Sequence, residues 1–337
     1  MKKYLLPKEG TFYKANMHMH TNISDGKMTP EETKKLFMEN GYSIVAFTDH
    51  EVMVPHPELM DENFIAITST EIATNERYDC PFVYSKCYHL NIYSKDPNKV
   101  NFVGFDKKKM WLSHSLNYID ESIMTPYDRH YSIESMNDII KKANEDGCFV
   151  SYNHPFWSCQ NYEDYHGLKG LWGVEWYNNG CVQTGYPDTI GPVDDLLRLG
   201  ENVFPLATDD AHNVEHCCGG FVMVKALKLE YGIVMDALEK GDFYSSSGPL
   251  IEELTIEDGI VNIKTSNAKV IYLTTERRFT KFSIAKEGTI NEASFDINKY
   301  LEECENPNCK NPYIRLMVFD SEGKCANTRA YRVNELK

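Results

Sequence analysis

The sequence predicts an α/β unit followed by a small all-β unit, with the join near residue 250. Three observations carry this. Short apolar runs alternate with helical segments over the first 250 residues, the pattern of a parallel sheet or barrel. Beyond Ser245-Ser246-Ser247-Gly248-Pro249 no long helix occurs and short β-rich runs take over. The length, 337 residues, suits two domains at about 150 residues each. The division expected is therefore 1–249 and 250–337.

In the first unit, strands are expected over 13–20, 43–48, 64–70, 88–93, 148–153, 173–177, 203–207 and 221–224. Several are continuously apolar, such as Ile44-Val45-Ala46-Phe47, as suits strands buried on both faces. Thr29-Pro30-Glu31-Glu32 is a capping box with Pro at the first helical position, and the helix it opens stops at Asn40-Gly41. A second helix runs over 132–146, with Ile133, Met136, Ile139, Ile140 and Ala143 on one face. A third spans 232–240 and is stopped by Gly241. In the second unit, strands are expected over 251–256, 260–265, 270–274, 293–297 and 313–319, in a sandwich-like antiparallel arrangement, with turns at Asp258-Gly259 and Glu322-Gly323.

Composition removes several classes of function. The net charge is −15, from 35 basic and 50 acidic residues, so the cationic surface of a general nucleic-acid or membrane binder is missing. No run approaches the 18 or so apolar residues of a membrane span. The apolar start Tyr4-Leu5-Leu6 is cut short by Pro7-Lys8-Glu9, too early for a signal peptide, so a cytoplasmic protein is expected. The ten cysteines are scattered and contain no C-x-x-C pair, which suits reduced thiols. Cys304 and Cys309, flanking Glu305-Asn306-Pro307-Asn308, are the nearest thing to a cysteine site.

Histidines and carboxylates carry the functional signal. Alternate residues of a strand share a face, so His18 and His20 can point toward one metal, and Asp25 in the Ser24-Asp25-Gly26 turn can swing back toward them. The same kind of residue then recurs where the apolar runs end: Thr48-Asp49-His50, Glu71, Asn153-His154-Pro155 and Asp209-Asp210-Ala211-His212, with His89 in the run between. Parallel α/β folds place sites at the carboxyl ends of strands. Buried histidines and carboxylates cost stability unless paired or metal-bound, so so many termini of this kind point to a metal centre.

In their order these motifs resemble the polymerase and histidinol phosphatase (PHP) family of metal-dependent phosphoesterases, over residues 12–250. Gly241-Asp242-Phe243-Tyr244-Ser245-Ser246-Ser247-Gly248 is similar to that family's closing element. The resemblance implies a distorted seven-stranded β/α barrel with a trinuclear metal centre at the strand ends. It implies nine ligands: His18, His20, Glu71 and Asp210 for a first ion, Glu71 with His89 and His154 for a second, and Asp25, His50 and His212 for a third. Asp25 stands where some members have His, and a carboxylate there favours Mn²⁺ or Fe²⁺ beside Zn²⁺. The implied reaction is hydrolysis of a phosphoester by a metal-activated hydroxide. The alternative is amidohydrolase-type hydrolysis of a non-phosphate substrate, although no lysine is placed to be a bridging carbamate. A non-catalytic metal centre beside a binding module is a third reading.

Further residues are expected to assist. Asp49 and Asp209 adjoin ligands and could orient an imidazole or cap a turn. Arg129 and His130 lie in a polar segment before a helix, where Arg could clamp phosphate or face water. Trp157, Trp172, Trp176 and Tyr177 would pack in the core or wall a substrate pocket. The segment between His89 and His154 should line the pocket, with Lys107, Lys108 and Lys109 expected to face water. Three divalent ions would outweigh the three acidic ligands locally, so an acidic chain can hold phosphate at one point. That favours a small phosphorylated substrate, nucleotide-like or a sugar or amino-alcohol phosphate, over a long polymer.

Overall fold

In the computed structural model residues 2–337 are described; Met1, counted with the first unit above, lies outside them. The strands are β1 (Lys3–Tyr4), β2 (Thr11–Asn16), β3 (Tyr42–Phe47), β4 (Ile65–Asn75), β5 (Cys87–Ser94), β6 (Cys148–Tyr152), β7 (Gly173–Asn178), β8 (Phe204–Thr208), β9 (Phe221–Ala226) and β10 (Phe243–Ser246). The C-terminal ones are β11 (Ile251–Glu257), β12 (Ile260–Ala268), β13 (Val270–Thr275), β14 (Lys281–Ile284), β15 (Ile290–Asp296), β16 (Tyr313–Phe319), β17 (Cys325–Thr328) and β18 (Tyr331–Arg332). The helices are α1 (Pro30–Glu39), α2 (Ile133–Glu145), α3 (Tyr162–Tyr165), α4 (Asn179–Gln183), α5 (Gly191–Leu199), α6 (Tyr231–Lys240), α7 (Asn298–Glu303) and α8 (Val333–Leu336).

Local signals explain the first helices. Both capping-box bonds of α1 form: Glu32 N–H donates to Thr29 Oγ1 at 3.2 Å, and Thr29 N–H to the Glu32 carboxylate at 2.9 Å. Ser132 caps α2, whose Met136, Ile139, Ile140 and Ala143 are buried in one cluster with Leu90, Ile92 and Val150 of the sheet. Helix α6 ends where Gly241 takes φ 73°, a left-handed conformation in which a Cβ would be strained.

The α/β part is a mixed sheet. Strands β2-β3-β4 and β6-β7-β8 pair in parallel, but β5 runs antiparallel to both β4 and β6. Residues 76–86 between β4 and β5 hold only a 3₁₀ turn, without the helix a parallel crossover ordinarily uses, and Glu76 N–H closes on Lys86 O at 2.8 Å. The expectation of uniformly parallel strands is corrected accordingly. Past its last strand residue, β2 meets the end of β8: Asp210 N–H donates to His18 O at 2.9 Å and His20 N–H to Ala211 O at 3.1 Å. The strand ends that carry the histidines are thus drawn into one rim.

The C-terminal all-β region has its own core, including Leu254, Ile263, Leu273, Leu316 and Val318. It is stitched to the α/β part twice. Strand β10 pairs β9 on one side and β17 on the other, so one sheet crosses the join. Strand β1 pairs β11, and Leu5 and Leu6 sit in the C-terminal core, so residues 3–6 pack with the later unit. Strands β14 and β17 and helix α5 lie where no element was expected. Among the described residues no helix is long and apolar enough to cross a membrane.

Candidate metal centre

Nine side chains converge at the rim. His18 and His20 follow β2 in the bridge region that meets β8, and their Nε2 atoms lie 3.1 Å apart. Glu71 projects from the middle of β4 and is the hub. Its Oε1 lies 3.1 Å from His89 Nδ1 and 3.3 Å from both His18 Nε2 and His154 Nε2. Its Oε2 lies 3.3 Å from His50 Nδ1 and 3.4 Å from His20 Nε2. Asp210 Oδ1 stands 3.1 Å from His20 Nε2 and 3.4 Å from His18 Nε2. Asp25 Oδ2 stands 3.3 Å from His212 Nε2 and 3.7 Å from His50 Nε2. His89 arrives differently from the others: it is the third residue of the antiparallel strand β5, whose start lies at the rim where its neighbours end.

Many of these contacts are close without being hydrogen bonds. His20 Nδ1, His50 Nδ1, His89 Nδ1 and Asp210 Oδ1 are buried and have no hydrogen-bond partner. Buried polar atoms are otherwise nearly always satisfied. Ring nitrogens and carboxylate oxygens aimed at shared points are a donor set that fits divalent cations. The electrostatics agree. Burial pushes the His20 ring down, but Asp210 and Glu71 outweigh it and lift the group to about 10. Burial and the neighbouring His20 push His50 down to about 3. Burial raises Glu71 and Asp210, yet the imidazoles around them hold both well below the usual carboxylate range. The pocket demands positive charge at its centre. Three clusters could each hold an ion: His20 with Asp25, His50 and His212; His18 with Glu71 and His154; and His18 with His20 and Asp210.

A family model for the PHP domain matches residues 16–214, more than half of the chain. The chain belongs to the PHP family. That places it among metal-dependent hydrolases of phosphoesters. No curated protein matches this PHP chain in sequence. Among solved structures it is similar to a two-domain protein of Bacteroides vulgatus containing a predicted PHP-like metal-dependent phosphoesterase, at 15% identity and TM-score 0.44, over 98% of this chain and 97% of that one. It is also similar to an amidohydrolase of Chromobacterium violaceum with bound sulfate and no metal, at 12% identity and TM-score 0.37, over 68% and 96%. A third is a lesion-specific endonuclease of Pyrococcus furiosus, at 13% identity and TM-score 0.40, over 68% and 56%.

Around these nine side chains of the PHP domain lies a layer that residue patterns did not reveal. Glu175 of β7 is wholly buried and accepts four bonds: from His18 Nδ1 at 2.7 Å, Thr208 Oγ1 at 2.7 Å, His154 N–H at 3.0 Å and Asn178 Nδ2 at 3.1 Å. Asn153 Nδ2 donates to Glu71 at 2.8 Å, and Asn178 Nδ2 to Asp210 at 3.1 Å. His154 and Asp210 both sit at positive φ, 27° and 48°, a region uncommon outside glycine, and these bonds tie both residues there. The signal for Glu175 was a lone carboxylate in the apolar run Gly173-Val174-Glu175-Trp176, all of it buried.

The auxiliary residues fall in unexpected places. Asp49 touches no imidazole. Its carboxylate accepts from Thr21 N–H at 2.7 Å and Oγ1 at 2.8 Å, and from Ser24 N–H at 3.2 Å and Oγ at 2.8 Å, so it fixes the loop that presents Asp25. Gly26 is pressed on that loop so tightly that a Cβ would lie 2.2 Å from His20 O. Asp209 accepts from the N–H groups of Cys218, Gly219 and Gly220, holding the turn into β9. His130 is 70% exposed beside Asp128 and stays outside the site. Arg129 is fully buried and paired with Glu51 at 2.8 Å, away from the cavity. Arg129→Ala should therefore act on stability, costing about 3–5 kcal/mol by stranding the buried Glu51 charge. Chemical denaturation would show that loss, with recovery in Arg129→Met/Glu51→Gln; an unchanged midpoint would contradict it.

The centre opens into a cavity of about 690 Å³. Tyr78, Phe82, Trp111 and Trp157 wall it, and Lys108 and Lys109 reach it. The expectation that the lysine run faces water holds for Lys107, 60% exposed beside Glu121, and for Lys108, which is exposed at the edge of the cavity; it is corrected for Lys109, whose side chain is largely covered beside Asp106 and Asp128. Trp157 packs edge-on to His154 and His89, while Trp172 and Trp176 are core residues. Beside the rim, Asp188 accepts from Phe156 N–H at 2.9 Å, its Oδ2 is buried without a partner, and burial pushes its carboxyl up to about 7. A folded value above the unfolded 3.8 means stability falls as pH rises from about 4 through 7. Asp188→Asn should thus stabilise the chain at pH 8 by about 1–3 kcal/mol and do little at pH 4, as melting curves would show. Equal effects at both pH values would refute it.

Proposed function

We propose that this PHP domain hydrolyses the phosphoester of a small phosphorylated substrate held in the 690 Å³ cavity. The observation that carries the reading is the convergence of nine buried or half-buried nitrogen and oxygen donors, four of which leave a buried polar atom without a hydrogen-bond partner. Three metal positions are proposed: His18, His20, Glu71 and Asp210; Glu71, His89 and His154; and Asp25, His50 and His212. Zn²⁺, Mn²⁺ and Fe²⁺ suit these nitrogen and oxygen donors. When bound, such ions lower the pKa of coordinated water toward neutrality and neutralise charge on phosphoryl oxygens.

The chain's own residues do the rest. Glu175 holds His18 with its Nδ1–H outward and Nε2 toward the centre. Asp49 positions Asp25. Lys108 and Lys109 offer cations to a phosphate entering the mouth, and Trp111 and Trp157 keep bulk water from its flanks. The strands β2 to β8, joined at their ends by the His18–Asp210 and His20–Ala211 bonds, are read as a distorted seven-stranded barrel. The domain division is proposed at 249/250, with residues 3–6 belonging to the second unit. Ten free cysteines suit a cytoplasmic setting.

The test is metal analysis of the purified chain with a release screen over nucleotides, sugar phosphates, histidinol phosphate and amides. Phosphate release that a chelator abolishes and divalent ions restore is expected. Release of amine without phosphate, or phosphate release surviving in His18→Ala/Glu71→Ala, would overturn the reading.

A further inference from the structure

Away from the rim, the two cysteines flanking residues 305–308 come together with an acid. Cys304 caps the end of α7 and Cys309 lies in the turn before β16, and their Sγ atoms are 3.5 Å apart. Glu276 directly follows β13 and places Oε1 3.5 Å from Cys309 Sγ. The geometry points to a second metal site, formed by Glu276, Cys304 and Cys309, that takes one thiophilic divalent cation, zinc by its ligand preference.

The spacing fits a shared ion. Bonds of about 2.3 Å from zinc to sulfur and about 2.0 Å to oxygen, at tetrahedral angles, separate two sulfurs by roughly 3.7 Å and sulfur from oxygen by roughly 3.5 Å. A disulfide needs about 2.05 Å. The carboxylate is pre-aimed: Glu276 Oε2 accepts from Tyr300 Oη at 2.6 Å and Tyr313 N–H at 3.3 Å, while Oε1 faces Cys309 Sγ, with Arg277 Nε 3.7 Å away. The charges balance as well. Two thiolates and a carboxylate leave one negative charge around a divalent ion. Arg277 supplies the counter-charge, with Nη1 donating to Cys309 Sγ at 3.0 Å and Nη2 lying 3.7 Å from Cys304 Sγ. Both thiols must give up their protons to ligate the ion, so loading the site releases protons.

All three ligands are half-buried, which gives an ion a way in and leaves the fourth coordination position to solvent. The place suggests the purpose. Arg198 of α5 donates to Glu276 O at 3.1 Å, and Asn311 Nδ2 donates to Arg198 O at 2.9 Å. The ion would fasten β13, α7 and the start of β16 where the β region rests on α5, a structural role separate from hydrolysis.

The PHP centre contains no cysteine, so sulfur spectroscopy separates this site from it. The metal-free full chain is titrated with Co²⁺. A thiolate-to-cobalt charge-transfer band of the intensity of one two-thiolate site per chain is expected once the rim positions are also filled, and it should vanish in Cys304→Ser/Cys309→Ser while phosphate release remains. No band in the wild type, or a band that persists in the variant, overturns the proposal. Should the variant not fold, alkylation of the wild-type chain decides: zinc should protect Cys304 and Cys309, as peptide mass spectrometry would show. Equal labelling with and without zinc, or recovery of the two as a disulfide, overturns it.

Discussion

Glu71→Gln should lower phosphoester hydrolysis by on the order of 10³-fold, the cost of removing a central electrostatic group from a dry site. Five imidazoles approach this one carboxylate within 3.4 Å, through both of its oxygens. Gln keeps the volume but removes the charge and turns an amide N–H₂ toward ring nitrogens and toward the donor Asn153 Nδ2. The expected signature is a fall in kcat together with loss of bound metal, while the fold persists because the core around Glu71 is intact. Activity within tenfold of wild type at full metal occupancy would show that Glu71 is not the hub. A variant that loses activity but keeps every metal would shift the role of Glu71 from holding ions to acting on substrate.

Glu175→Gln should cost about 10–100-fold in metal affinity or activity, although Glu175 reaches no proposed metal position. All four of its partners donate. An amide nitrogen in place of either oxygen sets donor against donor, on His18 and Thr208 at one side or on His154 and Asn178 at the other. His18 would lose the acceptor that selects its tautomer, and the strained backbone of His154 would lose its tie. The effect should appear in metal titrations as weaker binding at saturating substrate, and excess metal should restore much of the rate. Unaltered metal affinity would refute the positioning role. Glu175→Ala tests the same point without the opposed donors and should be similar in direction.

The candidate ligands were legible because each sits in a short motif next to an apolar run, where sequence spacing alone sets the side-chain direction. His18 and His20 lie two apart, and Asp25-Gly26 is a turn whose Gly tolerates the close approach of His20 O. Their partners were not legible, because hydrogen-bond acceptors arrive from distant strands. Glu175 lies 157 residues from His18. Arg129 stands in a polar segment between Asp128 and His130, which suggests a phosphate clamp or a surface arginine, yet it turns inward to an acid 78 positions away. The reversal of β5 was hidden for a related reason. Leu90, Asn91 and Ile92 are buried in either direction, so their composition carries no trace of which way the strand runs. In the β region, β17 (Cys-Ala-Asn-Thr) is too short and too polar to read as a strand, although its pairing completes the sheet.

That pairing bears on how the molecule tolerates being cut. Ending the chain near Pro249 would strip β17 from β10 and leave Tyr244, Ser245 and Ser246 with a bare row of N–H and C=O groups. An uncovered margin of that kind recruits the next molecule, so the shortened chain should form oligomers or aggregates. The same excision would leave Leu5 and Leu6 with no cavity to fill. Heating the intact chain should accordingly give a single cooperative transition, the two regions rising and falling together as one folding unit.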